Sequence, residues 1–232
     1  CCGIVYSKFI AKQEQENLPA DSRVEIDTQI DEEEIPSLRQ QIITAFLYVP
    51  ERNDVGAFWA RVACLVVFAI WGLYFITAGV DWEKIGSSFM HNINLPFHEF
   101  GHILFMPFGE FMMILGGSLF QVLLPLALMC VFVFKQRDTF AGSIMLWWCG
   151  QSFIDVSPYI ADAEYRALPL VGGGGEESHD WGNLLTMMDA LDSTQVVANC
   201  SFGVGAVLII AALVWGGWII KLQQKNLVSL YE

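Results

Sequence analysis

Five residues near the middle of the chain, His98-Glu99-Phe100-Gly101-His102, match H-E-x-x-H. On a helix, positions i and i+4 share one face, so both imidazoles can reach a single ion. Glu99 stands beside them, where a carboxylate can deprotonate a water at that ion. Two neutral imidazoles and one oxygen ligand suit Zn2+, with a fourth position left for water. Phe97, Phe100, Ile103, Leu104 and Phe105 make the surroundings apolar. Ionisable groups in such a setting are costly and mark functional sites more often than not. The bland alternative is a hydrogen-bonded polar cluster between helices.

The elements that must hold this motif are written in the composition. The 232 residues are 54% hydrophobic and 16% charged, with a mean hydropathy of +0.46. A soluble domain carries about 25% charged residues. A net charge of −13 excludes a general affinity for polyanions, so no nucleic-acid partner is expected. Residues 62–80, 111–134, 139–154 and 202–220 form uncharged runs. A run of about 20 apolar residues spans a bilayer core as a helix. The expected fold is therefore all-α: a polytopic helical membrane protein with about four transmembrane helices and a membrane-embedded helix carrying the motif. Its lipid bilayer is its first partner.

Residues 1–56 read as an acidic, largely flexible N-terminal segment, with acids clustered over 14–34, and residues 57–232 as the transmembrane domain. The opening Cys1-Cys2-Gly3 reads as a processed, lipidated or truncated terminus. Pro96 is placed to start the motif helix, with His91, Asn92 and Asn94 in the loop before it. Pro158 is placed to end the third run. If residues 85–106 dip into the membrane without crossing it, all twelve Lys and Arg except Lys84 and Arg166 fall on one side. The positive-inside rule then puts both termini in the cytoplasm and residues 158–201 outside.

With these residues in view, the chain resembles the site-2 protease group of intramembrane zinc metalloproteases. That family carries HExxH on a membrane-embedded helix, then a small-residue stretch like G-P-x-x-N, then an N-x-x-P-x-x-x-L-D-G-like stretch. Gly116-Gly117-Ser118-Leu119-Phe120-Gln121 is similar to the second element, with Gln121 at the Asn position. Asp155-Val156-Ser157-Pro158-Tyr159-Ile160-Ala161-Asp162-Ala163 is similar to the third, with Asp162 one residue early and Ala163 in place of Gly. The resemblance covers about residues 60–170. It implies Zn2+ as cofactor, held by His98, His102 and Asp162, with Glu99 as general base. It implies a zinc-dependent endopeptidase that hydrolyses peptide bonds of membrane or membrane-proximal proteins, in a bacterial-type inner or plasma membrane.

The residues themselves leave the third ligand open. His179 follows the run Gly172-Gly173-Gly174-Gly175 and could fold back to the metal, with Asp180 orienting its ring. Asp155 lies about two helical turns before Asp162. Gln121, in an apolar run, needs a partner and is a candidate to hold substrate. Tyr159 is a candidate donor to a developing oxyanion. Gly116-Gly117 reads as a close helix contact. Two rival functions share these residues: a metal-free membrane structural or assembly protein, and a zinc-dependent membrane hydrolase of lipids or small amides.

Overall fold

The computed structural model describes residues 36–51, 53–169 and 178–227. The acidic stretch 14–34 and the four-glycine run 172–175 lie outside the described residues. From Gln40 onward the chain forms one unit. Among the described residues the regular structure is helical: α1 (Leu38–Phe46), α2 (Val55–Ala78), α3 (Trp82–Gly86), α4 (Phe89–Phe105), α5 (Glu110–Cys130), α6 (Thr139–Ala161), α7 (Asp180–Met187) and α8 (Thr194–Gln224). Val131–Gln136 continues α5 as a π-helical turn.

Among the described residues, three helical stretches are long and apolar enough to cross a membrane: Val55–Ala78, Glu110–Gln136 and Leu191–Gln224. The 24 residues of α2 rise about 36 Å, more than a hydrocarbon core of about 30 Å. Its start is fixed by Asp54, whose carboxylate accepts the N–H of Ala57 at 2.8 Å. Only Phe58, Gly72 and Phe75 of α2 are buried, while Val67, Ile70 and Leu73 face outward. An exposed apolar face of this extent needs a cover, and lipid is the natural one.

The third apolar run becomes α6, 23 residues long and the best buried helix of the bundle. It packs closely on α8 because small residues meet there: a Cβ on Gly150 would stand 2.7 Å from the carbonyl oxygen of Gly205. Its lower hydropathy comes from inward polar residues, among them Gln151, Ser152, Asp155 and Ser157. Pro158 does not end it. Proline removes the N–H that would pair with the carbonyl four residues back. The Ser157 hydroxyl donates to that carbonyl, Ile154 O, at 2.7 Å, and the helix continues to Ala161.

A second proline expectation also changes. The motif helix α4 starts at Phe89 and not at Pro96, because the Ser88 hydroxyl accepts the N–H of His91 at 3.1 Å and caps it. His91, Asn92 and Asn94 are therefore helical, and His91 and Asn94 are buried. At 17 residues, α4 rises about 26 Å, against a hydrocarbon core of about 30 Å.

The ends of the bundle differ in charge. The start of α2, the α5–α6 turn and the end of α8 meet at one end. Arg61 pairs with Asp138 at 3.5 Å, and the N–H of Asn53 donates to Asn226 O at 3.0 Å. Lys135, Arg137 and Lys221 belong to the segments that meet there. At the other end α3 and the C-terminal half of α6 come together, with Trp82 against Tyr159 at 4.8 Å between ring centres.

Candidate metal centre

Two glycines let α4 and α5 approach until their backbones touch. A Cβ on Gly101 would collide with the carbonyl oxygen of Gly116, and one on Gly116 would stand 2.6 Å from that of Gly101. The next residue, Gly117, lies under the motif: a Cβ there would stand 2.6 Å from Nε2 of both His98 and His102. The close helix contact expected at 116–117 is present, and Gly117 keeps the space beside both imidazoles clear.

Each ring is held by its far nitrogen. His102 Nδ1 lies 2.9 Å from the carbonyl oxygen of Met113, and His98 Nδ1 lies 3.1 Å from Oε1 of Gln121. Both partners are oxygens that can only accept, so both Nδ1 atoms carry the proton. The Nε2 lone pairs are thereby turned toward a common point. Asp180 Oδ2 faces that point, 2.9 Å from His98 Nε2 and 3.2 Å from His102 Nε2. Two lone pairs opposing a carboxylate repel one another unless a proton or a cation stands between them. Ligands on a tetrahedral Zn2+ at about 2.0–2.1 Å stand about 3.3–3.4 Å apart. The donor set and the clearance at Gly117 fit a zinc ion, which would spread the 2.9 and 3.2 Å separations by a few tenths of an ångström. Among the described residues, His98, His102 and Asp180 form the one group whose ligand atoms lie within 4.8 Å of one another. Burial pushes the Asp180 carboxyl up, whereas protonation of the facing His102 and His98 rings outweighs this and brings it down to about 2.

The three sequence candidates for the third corner stand elsewhere, and each has a different partner. Asp155 is 2% exposed and turned into the helix interface. Its Oδ1 lies 3.1 Å from His91 Nδ1, and its Oδ2 accepts from Asn94 Nδ2 at 3.1 Å and Gln121 Nε2 at 2.8 Å. Three donors hold it in that interface, and it does not join the group formed by His98 and His102. Asp162 caps the C-terminus of α6, where its Oδ2 accepts the N–H of Leu168 at 2.8 Å and meets His179 Nε2 at 3.1 Å. His179 is 1% exposed and uses its other nitrogen to accept the N–H of Gly182 at 3.0 Å. Both of its nitrogens are engaged away from the motif. Sequence reasoning gave Asp180 the task of orienting His179; the structure has Asp180 facing the motif and His179 capping the helix that bears it.

Gln121, the candidate to hold substrate, is buried and holds protein at both ends of its amide, linking Asp155 to His98. Tyr159 stacks on His91 with ring centres 6.1 Å apart and lines the cavity over the site. That cavity has a volume of about 400 Å3 and is walled by His98, Glu99, His102 and Asp180 with apolar Met113 and Ile114. Glu99 is exposed to it. A water at the common point of the ring nitrogens would thus share one cavity with a carboxylate base.

No family model, curated protein or solved structure matches the chain.

Proposed function

We propose that this chain is a polytopic membrane zinc metalloprotease of the site-2 protease kind, with His98, His102 and Asp180 as ligands and Glu99 as general base. The observation that carries the reading is the pair of imidazoles with protonated Nδ1 atoms, whose Nε2 atoms converge on one carboxylate beside Glu99. Zn2+ held by His98, His102 and Asp180 would supply a Lewis acid that polarises the peptide carbonyl and acidifies the attacking water. Glu99 takes a proton from the attacking water as its oxygen bonds the peptide carbon. The same carboxyl passes that proton to the leaving nitrogen as the C–N bond breaks, giving a carboxylate and an amine. Met113 O and Gln121 hold the two rings in the tautomer that this requires.

The membrane assignment takes α6 as a fourth span and α4 as a helix that enters without crossing. Gathering Arg61, Lys135, Arg137 and Lys221 at one end of the bundle supports a cytoplasmic placement of that end and of both termini. The membrane is of bacterial inner or plasma type in this reading. Substrates are then extended stretches of membrane or membrane-proximal proteins, since a helical backbone has its carbonyls already paired.

The test uses the full chain in detergent or proteoliposomes. About one Zn per chain is expected, lost when His98 and His102 are both replaced by Ala. Glu99→Gln should retain zinc and lower cleavage of a fluorogenic peptide library about 10²–10⁴-fold. A metal-free wild-type protein, or undiminished cleavage by Glu99→Gln, would remove the proposal.

A further inference from the structure

The ligand Asp180 lies on a different element from the two histidines, and its two chain neighbours are both tied down. On one side, His179 reaches Asp162 through Nε2 at 3.1 Å. Gly182 N–H donates to His179 Nδ1 at 3.0 Å, so that nitrogen holds the lone pair and Nε2 carries the proton toward Asp162. Asp162 Oδ2 also accepts from Leu168 N–H at 2.8 Å, which sets the carboxylate's own direction. On the other side, Trp181 Nε1 donates to Ser118 Oγ at 3.1 Å, and its ring packs against the cluster of Val156, Ile160 and Ala198. The start of α7 is pressed onto the turn after α6: a Cβ on Gly182 would stand 3.0 Å from Ala163 O. Ala163 is fully buried.

These contacts decide where the Asp180 carboxylate points. A side chain flanked by two anchored neighbours loses little freedom when it takes a metal. A ligand misplaced by 1 Å weakens a site whose geometry is otherwise intact. Among the described residues, the Asp162–His179 pair is the one of these anchors that joins the end of α6 to the start of α7 through a carboxylate.

We infer that Asp162 and His179 are positioning residues: hydrogen-bonded to one another, they present Asp180 to the metal held by His98 and His102. This rests on the metal-site reading above and goes beyond it, because it gives a function to two residues that are not ligands. Asp162→Asn keeps an acceptor oxygen for both of its donors, whereas Asp162→Ala removes it. His179→Asn keeps a helix-capping acceptor but is too short to reach Asp162.

The experiment is a Co2+ titration of the full chain in detergent, read by visible absorption, with thermal melting of the metal-free protein in parallel. Asp162→Ala and His179→Asn should each raise the Co2+ Kd about 10–100-fold. Their absorption per bound Co2+ at saturation should be altered, because the carboxylate no longer sits in place. Asp162→Asn should stay within about threefold of wild type. A purely structural role would lower the melting temperature and leave the absorption per bound Co2+ unchanged, and that result would overturn the inference. Equal losses in Asp162→Ala and Asp162→Asn would overturn it as well. A wild-type protein that binds no Co2+ would instead remove the metal site itself.

Discussion

Two carboxylates on neighbouring helices illustrate what separates an anchor from a proposed ligand. Asp155 is buried between α4, α5 and α6 at the wall of the same cavity and is met by donors from His91, Asn94 and Gln121. Asp180 borders the cavity, where it faces two ring nitrogens whose protons are spent on the opposite side. Asp155 is satisfied by hydrogen bonds, whereas Asp180 needs positive charge. Burial alone would have chosen Asp155, yet a metal requires lone pairs that no N–H has already taken. Gln121 joins the two regions, since one end of its amide holds Asp155 and the other holds His98.

Removing each carboxylate should therefore fail in a different way. The largest effect is expected from Asp180→Ala, which should abolish stoichiometric zinc binding while the metal-free protein melts within about 1 kcal/mol of wild type. Metal analysis with melting curves checks this, and full zinc content in that variant would break the comparison. Asp155→Ala should do the reverse. It strands three buried donors, and loss of one partner from such a network costs about 3–5 kcal/mol. The melting temperature of the metal-free form should fall, and an unchanged value would show that Asp155 is no anchor. The smallest effect belongs to the link: Gln121→Ala should weaken Zn2+ binding about 10–100-fold by freeing the His98 ring. Competition with a chelator measures it, and an unchanged affinity would mean that His98 is oriented by its helix alone.

Much of the architecture is visible in the one-dimensional pattern. Long uncharged runs announce α2, α5 and α8, because a bilayer demands continuous apolar length. The motif announces its own helix, because i,i+4 spacing has meaning only there. Prolines mislead, since their lost hydrogen bond can be made good locally, as Ser157 does for Ile154. Spacing also does not single out the carboxylate that faces the motif. Asp180 follows a glycine run and precedes Trp181 without any local period, so nothing near it in sequence marks its direction. The one available signal was an acid at a helix start beside a histidine, and that pattern equally describes a cap.

From residue types and spacing alone came a helical chain with apolar spans and two histidines that can share an ion with a nearby glutamate. Those features depend on periods of a few residues and on runs of about twenty, which are local. Which carboxylate faces the two histidines was decided by the packing of α7 onto α6 and α5, through Asp162–His179 and Ser118–Trp181. A ligand is chosen by the direction of its lone pairs, and that direction is a property of the assembled helices.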